Sequence, residues 1–296
     1  MEVDGEELPV AAVGEGAFRG ADVAIFCAPP EVARAWAPKA RAEGCRVIDA
    51  SMAFREDEHV PLVVPALNGA ALDAGASLVA LPAGAVAAVA TALAPLHAAA
   101  AVERVAVTTL EPVASAGRAA VDQLEREVAD LMNGREPETG AALPHRLAFN
   151  VVPQVGTFGP DGRTAAEGAL PGELRRVLGA PGLAASATAV RVPVFYGLTA
   201  VIGVTLARPL APDEARTLLR AAPGVKVLDA PGDGIYPMPM LTVNDDAVLV
   251  GRVRADPSHP RGLELVLVTD ELRQGVAVNA VRVAERLSEL PALVRA

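Results

Sequence analysis

Asp22-Val-Ala-Ile-Phe-Cys-Ala28, closed by Pro29-Pro30, leads into a helical pattern from Glu31 that stops at Gly44, and Cys45-Arg-Val-Ile-Asp49 follows. An apolar run, a helix ended by glycine and a second apolar run spell strand, helix, strand. A βαβ unit of this size must lay its strands parallel with a right-handed crossover, so the N-terminal lobe is an α/β sheet. Ligands of such sheets sit beyond the strands' carboxyl ends, here Cys27-Ala-Pro-Pro30 and Asp49-Ala-Ser-Met-Ala-Phe-Arg55. Cys27 stands in the first of these, but its uncharged, apolar neighbourhood favours the thiol over the reactive thiolate.

Moving outward, Pro61-Leu-Val-Val-Pro65 precedes a buried strand at 77–81, and Pro82-Ala-Gly84 opens a long Ala/Val helix to about His97. Gly84 therefore heads a helix, where free N–H groups and the positive dipole end suit an anion, although it brings no side chain to activate. A strand at 102–109 and a helix from 116 towards 132 follow. The second half reads as strands near 187–195, 199–207, 225–228, 247–254 and 263–269 with one clear helix at 213–222. So few helices between strands predict an antiparallel or mixed sheet in an α+β lobe. The last helix, 276–290, carries an apolar stripe (Val278, Val281, Val283, Ala284, Leu287) and should return to the first lobe.

Arg191-Val-Pro-Val-Phe-Tyr-Gly-Leu198 and the apolar run after it read as two strands with a turn at Gly197. A guanidinium inside such a run must be paired or must face a cleft, because an unpaired buried charge is costly. Arg191 is either a strand-end residue snorkelling to water or an anion receptor.

The 296 residues are 52% hydrophobic and 21% charged, enough for a substantial core in two lobes. The 26 Lys and Arg against 36 Asp and Glu give a formal charge of −10, and no basic cluster could neutralise several phosphates, which argues against nucleic acid. Two cysteines, Cys27 and Cys45, without CxxC spacing or a Cys/His cluster, predict a reducing, cytoplasmic setting and no metal site. Neither a leader nor a membrane span is expected, since Pro82, Gly84 and Pro95 break the longest Ala-rich stretch.

Several stretches together resemble the aspartate-β-semialdehyde dehydrogenase family: Asp22-Val-Ala-Ile-Phe26, Val47-Ile-Asp49, Ser51-Met-Ala-Phe-Arg55, Val60-Pro-Leu-Val-Val-Pro65, Ala148-Phe-Asn-Val-Val-Pro-Gln154, Arg191-Val-Pro-Val-Phe195, Val250-Gly-Arg-Val-Arg254 and Asp270-Glu-Leu-Arg-Gln-Gly275 with Asn279-Ala280. Val192-Pro-Val-Phe-Tyr-Gly197 and Leu131-Met-Asn-Gly134 resemble most closely its degenerate Usg-type paralogues. The resemblance implies an NADP lobe, a lobe for substrate and dimerisation, and reductive dephosphorylation of an acyl phosphate through a cysteine thioester. The family's nucleophilic cysteine matches Gly84, its helper glutamine Glu111, and its acid/base histidine Leu198. Its phosphate and carboxylate ligands match Arg55 and Arg191, while Ala28, Gly275 and Asn279 fall at cofactor-side positions. The family's opening strand, Gly-x-x-Gly-x-x-Gly turn and helix find no counterpart between Met1 and Ala21, and a later Gly-Gly turn has become Pro29-Pro30.

The expected fold is therefore α/β: a truncated Rossmann-like parallel-sheet lobe (1–84 with 272–296, its first βα unit missing) plus an α+β mixed-sheet dimerisation lobe (85–271). The expected function is a non-catalytic or repurposed cytoplasmic homodimer that binds a small anion and no cofactor, because without a nucleophile no thioester forms. The alternative is an NADP-dependent semialdehyde dehydrogenase of aspartate-family amino-acid biosynthesis with an incomplete N-terminus, its thiol Cys27 or Cys45 or its first unit encoded upstream.

Overall fold

The computed structural model describes residues 2, 3, 5–73, 75–138, 140 and 142–290. After a short antiparallel pair, β1 (Glu2–Val3) and β2 (Glu6–Glu7), the stretch 22–49 forms β3 (Val23–Phe26), α1 (Pro30–Ala42) and β4 (Arg46–Asp49). Pro30 takes the first helical position, where a missing N–H costs nothing, and Gly44 at φ +92° turns the chain out of the helix. Ala33, Ala37 and Ala40, one helical face, are fully buried. α2 (Pro65–Asn68) and β5 (Leu78–Ala80) complete a three-stranded parallel sheet in the order β3-β4-β5.

α3 (Gly84–Ala100) is apolar all round, as a helix buried on every side must be, and packs against both the helices and the sheet of the second lobe. One apolar cluster runs from Phe26 and Val47 through Val86, Val89 and Leu93 to Ile202 and Leu265. The second lobe comprises β6 (Val102–Glu111), α4 (Arg118–Met132), α5 (Ala165–Leu178), β7 (Ala184–Arg191), β8 (Leu198–Leu206), α6 (Pro212–Ala221), β9 (Val225–Val227), β10 (Val248–Ala255) and β11 (Gly262–Thr269). Its six-stranded sheet has the order β7-β6-β8-β11-β10-β9; β6 is parallel to β7 and antiparallel to β8, so the sheet is mixed. α7 (Val278–Glu289) returns to the first sheet, where Ala280, Val283 and Leu287 pack with Ile48, Val79 and Leu81.

Two features depart from the reading of the sequence. The strands on either side of Gly197 do not pair with each other: β6 lies between β7 and β8, and the connection passes over its end. α5 was not anticipated, because Gly168, Pro171 and Gly172 interrupt its pattern. Among the described residues, no helix is long and apolar enough to cross a membrane.

Helices α3, α5 and α6 cover one face of the large sheet. On the other, Thr199, Gly203 and Thr205 are half-buried and Val201 is 41% exposed, while the intervening residues of β8 are buried. An interior carboxylate fixes the loop that borders β7. Glu127 Oε2 accepts from Leu147 N (2.7 Å) and Ala148 N (2.9 Å), and Oε1 from Gln123 Nε2 (2.8 Å). That loop delivers Val152, which exchanges two backbone hydrogen bonds with Arg191 (2.7 and 2.9 Å). Glu127→Ala leaves two buried N–H groups without acceptors and should cost about 2–5 kcal/mol in urea unfolding, with Glu127→Gln costing less.

Candidate functional site

Glu111 ends β6 and Arg191 ends β7, and the parallel register sets them directly opposite each other. Leu198 begins β8 at the same end of the sheet, opposite Thr269, the last residue of β11. Two residues further on, Glu271 folds back so that its Oε2 accepts from Gly197 N at 2.9 Å. Gly197 has φ +96°, and an added Cβ would lie 2.6 Å from Pro239 Cβ, so only glycine makes this turn. Arg191 donates through Nη1 to Pro112 O (2.6 Å) and to Ser115 Oγ. Arg191 Nε and Glu271 Oε1 are buried without a hydrogen-bond partner among the described residues.

Arg191 is thus no snorkelling strand end: it retains 5% of its exposure, and Glu111 and Glu271 retain 8% each. Burial raises the carboxyl pKa of Glu111 and of Glu271, and for Glu111 the neighbouring Arg191 offsets part of that rise. Burial lowers the pKa of Arg191, against the pull of the same two carboxylates.

Gly84 heads α3, as expected, but its N-terminus is already engaged. Ala83 N donates to Glu173 Oε2 at 2.7 Å, and Gly84 packs backbone to backbone on Gly275, where an added Cβ would lie 3.2 Å from Gly275 Cα. The same Cβ position is 3.6 Å from Glu271 O, which places Gly84 beside the Glu111–Arg191–Glu271 group. Arg55 approaches from the other side. Its Nε donates to Leu81 O (2.7 Å) and its Nη1 lies 3.9 Å from Glu173 Oε1. Burial lowers the pKa of Arg55 against the attraction of Glu173 and Asp49, and burial raises that of Glu173. Contacts run from Arg55 through Leu81 and Glu173 to Ala83, Gly84 and the carbonyl of Glu271, while the predicted positions 111, 191 and 198 share one end of the large sheet.

Glu173, Glu271 and Ser115 were not foreseen. The capping box of α5, in which Thr164 N donates to Glu167 Oε2 (2.7 Å), was the available signal for the helix that carries Glu173. The cofactor-side positions lie before α1 (Ala28) and at the turn into α7 (Gly275, Asn279). Ala28 is half-buried beside Pro29 and Pro30, which have no N–H, and the N–H groups of Val32 and Ala33 donate to Pro29 O (2.9 and 3.2 Å). Gly275 is filled by Gly84, and the buried Asn279 spends its Nδ2 on Gln274 O (2.8 Å). Among the described residues, no group of three or more His, Cys, Asp or Glu could hold a metal ion.

The family model described as semialdehyde dehydrogenase, dimerisation domain, matches residues 93–274, and that described as semialdehyde dehydrogenase, NAD binding domain, matches residues 1–75. The chain belongs to the semialdehyde dehydrogenase family. Its similarity to aspartate-semialdehyde dehydrogenase of Aquifex aeolicus is 37% identity over 286 residues, covering 96% of this chain and 84% of the relative. With the Legionella pneumophila enzyme it is 38% over 285 residues, covering 95% and 82%. Among solved structures, aspartate semialdehyde dehydrogenase II from Vibrio cholerae superposes with a TM-score of 0.92 at 33% identity, covering 98% of this chain and 86% of that one. The dimerisation domain of the semialdehyde dehydrogenases thus supplies β6 to β11, with Arg191, Glu111 and Glu271 at one end of its sheet.

Because the folded-state pKa of Glu111 lies above its unfolded value, the unfolded chain ionises first as pH rises. The stabilisation is complete below the unfolded pKa and is lost as pH passes the folded one. Glu111→Gln should melt higher than the wild type at about pH 7.5 and the same near pH 4, read by scanning calorimetry at both values.

Proposed function

We propose that this protein is a homodimer on the aspartate-semialdehyde dehydrogenase scaffold that holds a small oxyanion between Arg55 and Arg191 and does not run the thioester reaction. One observation carries the reading. Gly84, at the head of α3 where the resemblance puts the nucleophile, has no side chain and is packed against Gly275. With nothing to attack a carbonyl there, acid/base help from Glu111 would have no intermediate to act on, and Leu198 could give none. Residues 1–84 with 272–296, of which 291–296 lie outside the described residues, are the nucleotide-type lobe in this reading, and 85–271 the substrate and dimerisation lobe. Pro29, Pro30 and the inward-turned Asn279 support weak or no nucleotide binding. The two cysteines of the sequence, without CxxC spacing, support a reducing, cytoplasmic setting.

A second reading, an NADP-dependent semialdehyde dehydrogenase, is favoured by the match of residues 1–75 to the NAD binding domain model. Cys27, exposed just beyond β3, would be its thiol. The two readings separate in one set of measurements. Inorganic phosphate should raise the melting temperature of the wild type but not of Arg191→Met, and no NADPH should form from aspartate semialdehyde, phosphate and NADP. NADPH formation lost on Cys27→Ser would establish the second reading instead.

The partly exposed face of β8, with Val201 at its centre, supports the dimer, since this face of the sheet is not covered by helices α3, α5 and α6. Sedimentation should give about twice the 30.2 kDa chain mass for the wild type. For Val201→Glu the chain mass itself should appear, and a Val201→Glu dimer would remove this face from the interface.

A further inference from the structure

The far end of the first lobe carries a second concavity. Arg46, which begins β4, donates from Nη1 to Leu287 O at 2.5 Å, so the last turns of α7 lie at the amino end of the parallel sheet. Asp49 and Arg55 belong to the opposite, carboxyl end. A cleft of about 690 Å³ opens beside α7, and both lobes wall it. Pro65 and Leu72 come from α2 and the turn after it, Arg282 and Arg286 from α7, and Pro223 with Gly224 from the connection between α6 and β9. Going round α7 at about 100° per residue, Arg286 and then Arg282 lie next to the buried stripe of Ala280, Val283 and Leu287, and Glu289 and Glu285 follow on the outer side. Both glutamates are exposed, where water and salt screen them, so arginine forms the inner rim. Two like charges one turn apart repel, yet among the described residues neither arginine has an ion pair or hydrogen bond, even with the glutamate three positions on. Arg286 instead lies over the buried Gly69, where any side chain would collide with its guanidinium.

We propose that this cleft is a second ligand site, for a small organic anion whose carboxylate or phosphate head sits between Arg282 and Arg286 and whose apolar body lies against Pro65, Leu72 and Pro223. Guanidinium forks pair with either head through parallel N–H donors, and two forks one turn apart converge on a single head. An anion there also relieves the repulsion between the two arginines. The cleft is of the size that small-molecule sites have, about 300–1,000 Å³. It shares no residue with the junction of Arg55, Gly84 and Arg191. Because both lobes line it, a bound anion ties the Pro223–Gly224 turn to α2 and α7 and stabilises the lobes in their present arrangement.

The test is calorimetric titration of the full-length protein with phenyl phosphate and with benzoate, which share a ring and differ in the head. Inorganic phosphate, a head without a body, is the comparison. The tighter of the two aromatic anions should bind the wild type and Arg191→Met alike, which separates this cleft from the junction of the lobes. It should bind the Arg282→Ala/Arg286→Ala variant at least about tenfold more weakly, the loss expected when charged hydrogen bonds go. Inorganic phosphate should bind this cleft at least about tenfold more weakly than phenyl phosphate, for want of apolar surface to bury. Hydrogen exchange read by mass spectrometry should slow in 65–72, 223–225 and 282–289 when the anion saturates the wild type, and not in the double variant. Failure of both aromatic anions to bind the wild type would overturn the proposal. So would equal affinity of the double variant and the wild type, or protection confined to the segments around Arg55 and Arg191.

Discussion

The backbone contact between Gly84 and Gly275 is the constraint on which the arrangement of the two lobes depends. It seats the head of α3 against the π-turn Arg273–Ala277 that leads into α7, and α7 can then lay Ala280, Val283 and Leu287 on the first sheet. From Gly275, a Cβ would come within 2.9 Å of Gly84 Cα, a separation that real Cβ contacts do not show. The close approach that two glycines permit is also what brings the carbonyl of Glu271 beside the head of α3. Fold and site therefore share one joint: what closes the lobes together also fills the place where a side chain would start.

Around that joint, each buried arginine is met by carboxylates of the chain itself, Arg55 by Glu173 and Asp49, and Arg191 by Glu111 and Glu271. The pairs are not equivalent. Arg55 spends Nε on Leu81 O and lies against Glu173, which in turn holds Ala83 N, so this pair serves the end of β5 and the start of α3 as much as any ligand. Among the described residues, Arg191 keeps Nε without a partner at the ends of two strands.

Much of the fold was legible in the sequence because its signals are local. Gly44 and the flanking apolar runs announced the βαβ unit, and the stripe on α7 announced a helix that must dock. Strand order was not legible: nothing between Arg191 and Leu198 tells that β6 will claim both neighbours, because that pairing closes over a long sequence separation. α5 was hidden by Pro171 and two glycines although its Thr164/Glu167 capping box was in plain sight, and with α5 went Glu173. The arginines drew attention as charges within apolar runs. Glu271 gave no such cue, since its burial arises only once the Gly197 turn folds over it.

The central claim is that Arg191, ringed by Glu111 and Glu271, is the anion receptor of a scaffold whose nucleophile position is backbone. The most direct measurement is the crystal structure of the protein soaked in phosphate. The account predicts tetrahedral density between Arg55 and Arg191, within hydrogen-bond distance of Arg191 Nε, with Gly84 still packed on Gly275. Phosphate density confined to other surfaces, with Arg191 unchanged and unliganded, would contradict it.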